Sequence, residues 1–228
     1  MKGKLYGVGV GPGDPELITY KAVACMQKSA VIAVPTNGEG KQTAFDIVKE
    51  YITTQEIMSC YMPMTRNREQ LSASHEACAA QIILELEKGK DVTFLTLGDP
   101  TVYSTYMYVH RRVKEKGYDT EIIPGVPSFC AVAARLGDSL CEEGEMLHII
   151  PASYTGIEEA LELPGTKVLM KSGKSLQKVL DLLKQKDTPQ KVQMVSRCGM
   201  PQESVFYTIE DIEGQESYFS VVVVKEEK

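Results

Sequence analysis

Gly98-Asp99-Pro100-Thr101-Val102-Tyr103-Ser104-Thr105-Tyr106 is the stretch where residue types and spacing point most directly to chemistry. It leaves an apolar run, Val92-Thr93-Phe94-Leu95-Thr96-Leu97, and enters a segment with Val102, Tyr106, Val109 and Val113 at the spacing of one helix face. The pattern predicts a strand, a tight turn and a helix. The turn concentrates a glycine, a carboxylate and a proline, which strand sterics would not choose. Open α/β sheets collect ligands at the carboxyl ends of strands, where such turns lie. Either a charged small molecule is held here by backbone groups and Asp99, or Asp99 only caps the helix that follows.

Gly7-Val8-Gly9-Val10-Gly11-Pro12-Gly13 is the second candidate. Dinucleotide spacing needs a glycine where Pro12 stands. The phosphate-loop pattern fails too: before Gly40-Lys41, Pro35 takes the place of the first glycine, and Gln42 replaces the hydroxyl. What survives is a loop of minimal bulk, suited either to close approach by a flat ligand or another backbone, or to a plain strand-to-helix turn. No Gly-x-Ser-x-Gly elbow occurs, and no Ser/His/Asp or Cys/His set can be argued from spacing. Glu142-Glu143 and Glu158-Glu159 read as solvated faces. Cys25, Cys60, Cys78, Cys130, Cys141 and Cys198 form no Cys-x-x-Cys pair, and none sits at zinc-ligand spacing from His75, His110 or His148. No metal site is expected, and the thiols read as reduced and packed. Ligand loops without an obvious acid, base or metal point to chemistry carried by a cofactor.

The elements that position these loops alternate. Strand Lys4–Val10 leads to Gly11–Pro15, where Asp14 can cap a helix and Pro15 fits its first position. That helix continues through Leu17, Lys21, Ala24, Cys25 and Lys28. Strand Ala30–Val34 ends at Pro35, helix Thr43–Tyr51 follows, and Glu56–Met64 reads as irregular. A long helix spans Asn67–Lys88, stopped by Gly89. After the central strand and its helix to Lys116, strand Thr120–Ile123 closes in Pro124-Gly125-Val126-Pro127-Ser128. This alternation implies a mostly parallel sheet with helices on both faces.

Beyond helix Phe129–Leu136, strands near Leu147–Ile150, Lys167–Met170, Lys191–Val195, Glu203–Tyr207 and Tyr218–Lys225 are separated only by helices Ile157–Leu161 and Leu176–Lys186. The expectation is a two-domain α/β chain, 1–124 and 125–228, the second with a mixed sheet.

The chain has 228 residues, 43% hydrophobic and 25% charged, with formal net charge −6. That size suits one large or two small α/β domains. The acidic balance argues against a nucleic-acid or anionic-membrane partner. No apolar run is long enough to span a bilayer, and no signal-peptide pattern is seen, so a cytoplasmic protein is expected.

Read together, Gly7-Val8-Gly9-Val10-Gly11-Pro12-Gly13-Asp14-Pro15-Glu16-Leu17-Ile18-Thr19, Gly98-Asp99-Pro100 and Pro124-Gly125-Val126-Pro127-Ser128 resemble, in order and spacing, the tetrapyrrole methylases. These are class III methyltransferases that use S-adenosylmethionine. Gly-Asp-Pro-Thr-Val-Tyr-Ser-Thr-Tyr-Met-Tyr, and Val34-Pro35 ending the second strand, look like the branch that methylates C20 of precorrin-2 or cobalt-factor II in cobalamin biosynthesis. Uroporphyrinogen methylases usually show Gly-Gly-Asp-Pro and a Tyr-Asp after the second strand; Leu97 and Pro35 depart from both.

The resemblance implies a cofactor folded into a cleft between two domains, with contacts from Pro12, Leu97, Gly98, Asp99, Val102, Tyr103, Pro127, Ser128, Met170 and Cys198. Asp99 would lie near the donor's cationic end or a ribose hydroxyl, and Met170 against adenine. Gly11, Gly13, Asp14, Lys21, Arg66, Arg68, Tyr106 and Arg197, with Lys171 and Lys174, are candidates for the carboxylate-rich macrocycle. The base that removes the C20 proton stays open among Tyr103, Tyr106 and a substrate carboxylate. A homodimer is the family's usual assembly. The alternatives are another tetrapyrrole position, a protein or RNA substrate as in the diphthine synthases and rRNA ribose methylases, and a binding module without catalysis.

Overall fold

A computed structural model describes residues 1–38, 42–153, 155–186, 190–215 and 217–226, leaving aside the side chain of 174. The chain divides into two units, Met1–Pro127 and Ser128–Lys228.

In the first unit the elements run β1 (Leu5–Gly9), α1 (Tyr20–Lys28), β2 (Val31–Thr36), α2 (Thr43–Val48), β3 (Glu56–Tyr61), α3 (Arg68–Glu87), β4 (Val92–Thr96), α4 (Tyr106–Glu115) and β5 (Thr120–Ile123). The strands form one parallel sheet in the order β3-β2-β4-β1-β5. β4 sits in its centre and is buried throughout, which is why both faces of Val92–Thr96 are free of charge. Phe94 faces the core formed with Ile82 and Leu86 of α3 and Val109 and Val113 of α4. Leu95 faces the opposite core, with Met26 of α1 and Ile47 of α2. The connections after β1 and β4 therefore cover opposite faces, while the turns that start them share one edge of the sheet.

Three local expectations change. The helix expected from Asp14 onward is broken: Pro15–Leu17 is a 3₁₀ turn, Ile18 is extended, and α1 starts afresh on Thr19, whose hydroxyl accepts from the Ala22 amide at 3.2 Å. Glu56–Tyr61, read as irregular, is edge strand β3. Its pairing comes from the main chain of β2, and its mostly exposed side chains carry no alternation to read. Val102 belongs to the turn, not the helix, because α4 begins only at Tyr106.

The second unit contains α5 (Ser128–Leu136), β6 (Leu147–Pro151), α6 (Ile157–Leu161), β7 (Thr166–Met170), α7 (Leu176–Lys184), β8 (Gln190–Ser196), β9 (Ser204–Phe206), α8 (Ile209–Ile212) and β10 (Ser220–Glu226). Its sheet is mixed, in the order β6-β7-β10-β8-β9, with β6 and β7 parallel and β10 antiparallel to both β7 and β8. α6, α7 and α8 pack one face through Ile157, Leu180 and Ile212, and α5 packs β8 and β10. The short α8 was not anticipated; Thr208 caps it by accepting from the Asp211 amide at 3.2 Å. Among the described residues no helix is long and apolar enough to cross a membrane.

Candidate active site

The turns that follow β1, β4 and β5 are sewn together by their main chains. The Val10 amide donates to the Thr96 carbonyl at 2.9 Å and the Gly98 amide to the Gly11 carbonyl at 2.7 Å. A Cβ on Gly9 would stand 2.5 Å from the Gly125 nitrogen, and one on Gly125 would stand 2.3 Å from the Gly98 oxygen. Backbone meets backbone here, so the bare glycines serve the loops themselves. Gly98 and Gly11 also take positive φ, 71° and 80°, which turns the chain back at each strand end.

Asp99 is buried, and both its oxygens are engaged. Oδ1 accepts from the Thr101 amide at 2.8 Å and the Thr101 hydroxyl at 2.5 Å; Oδ2 accepts from the Gly125 amide at 3.0 Å. The carboxylate therefore clasps the β4 turn to the β5 turn. It holds the cradle, and with one donor on Oδ2 it keeps acceptor capacity beside that clasp. That Thr101 and Gly125 are the partners of Asp99 was not foreseen, although a carboxylate two residues before a threonine is the pattern of a local side-chain-to-backbone bond.

The other candidates sort by position. Pro12, Gly11, Gly13 and Pro100 are buried in the turns, and Leu97 and Val102 are half-buried beside them. Tyr103 is 43% exposed and holds φ at 48°, a strained conformation for a non-glycine residue. Its partial burial pushes the phenol up, so it carries its proton at neutral pH. Asp14 is taken up as a cap, accepting from the Glu16 amide at 2.8 Å. Lys21 bonds Glu121 at 2.8 Å, which also holds Lys4 at 2.7 Å, so its charge is committed within the unit. Arg66 and Arg68 are exposed where α3 begins.

Tyr106 corrects the expectation of a substrate contact or base. It is fully buried under Gly7, where a Cβ would come within 2.0 Å of its ring, and its hydroxyl meets His110 Nδ1 at 3.0 Å. Burial raises the phenol and lowers the imidazole, so both are neutral core groups.

Within the second unit, Ser128 opens α5 and Met170 ends β7, followed by Lys171 at φ 55°. Arg197 follows β8 at φ 54°, its amide donating to the Phe219 carbonyl at 3.0 Å and its guanidinium to Gln202 Oε1 at 3.2 Å. Cys198 is buried next to it. Glu203 accepts from the Gly199 amide at 2.8 Å and pairs with Arg135, which stitches this turn shut. Pro127 ends the first unit and is half-buried. The Gly40-Lys41 pair and the side chain of Lys174 lie outside the described residues.

The buried hydroxyls with no hydrogen-bond partner among the described residues include Thr96 Oγ1 at the end of β4 and Ser172 Oγ just after β7. Each of these two stands at the carboxyl end of a strand that leads into candidate ligand residues, and an unmet buried hydroxyl is costly unless something else satisfies it.

Comparison with known proteins agrees with this architecture. The chain is 34% identical to the probable cobalt-precorrin-2 C(20)-methyltransferase of Methanocaldococcus jannaschii, over 97% of this chain and 96% of that one. It is 32% identical to the cobalt-precorrin-2 C(20)-methyltransferase of Salmonella typhimurium, over 100% and 98%. The uroporphyrin-III C-methyl transferase of Thermus thermophilus, solved with S-adenosyl homocysteine, shares the fold at TM-score 0.72 and 21% identity, covering 98% of each chain. The sequence profile of the Tetrapyrrole (Corrin/Porphyrin) Methylases matches residues 4–213, and the chain belongs to that family.

Proposed function

We propose that this protein transfers the methyl group of S-adenosylmethionine to C20 of precorrin-2 or its cobalt complex, a step of cobalamin biosynthesis. The similarity to C20-methyltransferases over nearly the whole chain carries the reading. The cobalt in both relatives' names supports the metallated substrate. An enzyme of this kind would work in the cytoplasm, where cysteine thiols stay reduced. We infer a homodimer as its working form, which sedimentation would check.

The turns suit such a donor: glycine-rich backbone at the sheet edge, half-buried Leu97 and Val102, and the unmet hydroxyl of Thr96. When bound, S-adenosylmethionine supplies an already electrophilic methyl, so the protein's task is alignment. Holding two reactants in line accounts for about 7–11 kcal/mol of a barrier. The Asp99 clasp performs that task indirectly, by fixing the turn that carries Gly98, Val102 and Tyr103 against Gly125. Tyr103, protonated at neutral pH, orients rather than deprotonates, which leaves a substrate carboxylate to accept the C20 proton.

Mass spectrometry of the chain mixed with S-adenosylmethionine and each substrate tests the proposal. The expected result is a gain of one methyl, at C20, on the cobalt form. Absence of methyl transfer to either substrate, or a methyl at another carbon, would refute it.

A further inference from the structure

The carboxyl edge of the first sheet carries a second feature beyond the glycine turns, where β3 ends and α3 begins. Tyr61 is 53% exposed and Met64 is 68% exposed, while Met62 and Pro63 between them are buried. Both exposed side chains touch the residues that directly follow β2, Gly38 and Asn37. The Tyr61 ring lies over Gly38, whose φ is +90°, so closely that a Cβ there would sit 3.2 Å from Cε2. The Met64 sulfur accepts from Asn37 Nδ2 at 3.9 Å. An aromatic ring and a thioether are thus anchored on two consecutive residues, Gly38 and Asn37, while both stay exposed. Immediately beyond them stand Arg66 and Arg68, both exposed. Neither has an ion-pair partner among the described residues, although the chain is net acidic and Lys4, Lys21, Lys90, Arg112 and Arg135 are all paired.

We propose that Tyr61 and Met64 form an apolar bed for one face of the tetrapyrrole, with Arg66 and Arg68 meeting its peripheral carboxylates. The proposal rests on the methyltransferase reading above and names how that enzyme holds its acceptor. A flat, extended ring with carboxylates around its rim needs an adaptable apolar surface beside fixed cations. Tyrosine supplies a broad ring for stacking, and methionine a flexible thioether that fits irregular outlines. Arginine supplies the second, matching carboxylates bidentately. The charge complementarity between two arginines without ion-pair partners among the described residues and a carboxylate-rimmed ring is what selects this occupant.

The probe is uroporphyrin III, a stable polycarboxylate porphyrin, titrated by its absorption band. The double variant Tyr61→Ala/Met64→Ala is expected to bind it about tenfold more weakly, with the affinity for S-adenosylhomocysteine unchanged in calorimetry. Tyr61→Phe keeps the ring and is expected to bind as the wild type does. Arg66→Ala/Arg68→Ala should weaken binding and flatten its dependence on salt. Equal porphyrin affinity in the Tyr61→Ala/Met64→Ala variant would overturn the proposal. So would a loss of affinity accompanied by a change of sedimentation behaviour, which would make the face a subunit contact. Failure of the wild-type chain to bind the porphyrin would overturn it as well. Methyl transfer to cobalt-factor II, measured in parallel, then tells whether the enzyme reading fails with it.

Discussion

The Gly125 amide donates to Asp99 Oδ2 at 3.0 Å, and this one bond ties the turn after β4 to the turn after β5. Asp99→Asn would keep one acceptor for Thr101 but set an amide donor against the Gly125 N–H, or the reverse. The expected outcome is a loss of about 1–3 kcal/mol of stability, the penalty of an unmet buried donor, together with weaker donor binding. Thermal denaturation and calorimetry read the two effects. Unchanged stability with lost affinity would instead make Asp99 a direct ligand of the donor.

Gly9→Ala and Gly125→Ala each force a methyl to within 2.3–2.5 Å of backbone atoms that cannot withdraw as a flexible side chain would. Both variants are expected to be badly destabilised or insoluble, whereas Gly144→Ala, with nothing within 4 Å, should fold normally. Soluble expression and circular dichroism compare them. A well-folded Gly125→Ala protein would contradict the backbone-to-backbone packing.

Tyr106→Phe removes the hydroxyl that bonds His110 Nδ1 and leaves that nitrogen unmet in the core. The expected cost is about 1–3 kcal/mol, with C20 methylation retained because neither group reaches the reacting atoms. Urea denaturation measures the first and turnover the second. Abolished turnover in a stable variant would return Tyr106 to the chemistry.

Hydrogen bonds from Lys21 and then Lys4 hold the Glu121 carboxyl down to about 2, against an ordinary value of 4.5. A folded-state value below the unfolded one means that the contribution to stability is complete above 4.5. It is lost as the pH falls toward 2. Glu121→Gln should therefore be less stable than the wild type at neutral pH and approach it on acidification. Because the pair is part-exposed, high salt should shrink the difference. A pH-independent gap between the two proteins would rule out this linkage.

Thr96→Val replaces a buried hydroxyl that has no partner among the described residues with a methyl of the same shape. Stability is expected to rise by on the order of 1 kcal/mol. A fall in melting temperature would reveal a bond partner for Thr96.

Several features were legible in the residues alone, because they depend on short-range sterics and periodicity. Asn67 accepting from the Glu69 and Gln70 amides, Gly89 at positive φ after α3, and the run Val92–Thr96 announce a capped helix, its stop and a central strand without knowledge of any distant contact. The ordered glycine and proline turns announced the family for the same reason, since each marks a backbone conformation that few residues tolerate. β3 was not legible, because its hydrogen bonds belong to β2 and its own side chains are mostly solvated.

The meaning of the site residues was decided only in three dimensions. Asp99 reads as a ligand or a cap, and only the fold shows that it also clasps Gly125, far along the chain. Tyr106 reads as a reachable phenol until Gly7 proves to be the space its ring fills. Lys21 reads as a free cation until Glu121 claims it. Sequence determines which groups a chain owns and how its backbone bends locally. Which of those groups are already satisfied by one another, and which remain for a ligand, depends on long-range contacts that only the folded chain makes.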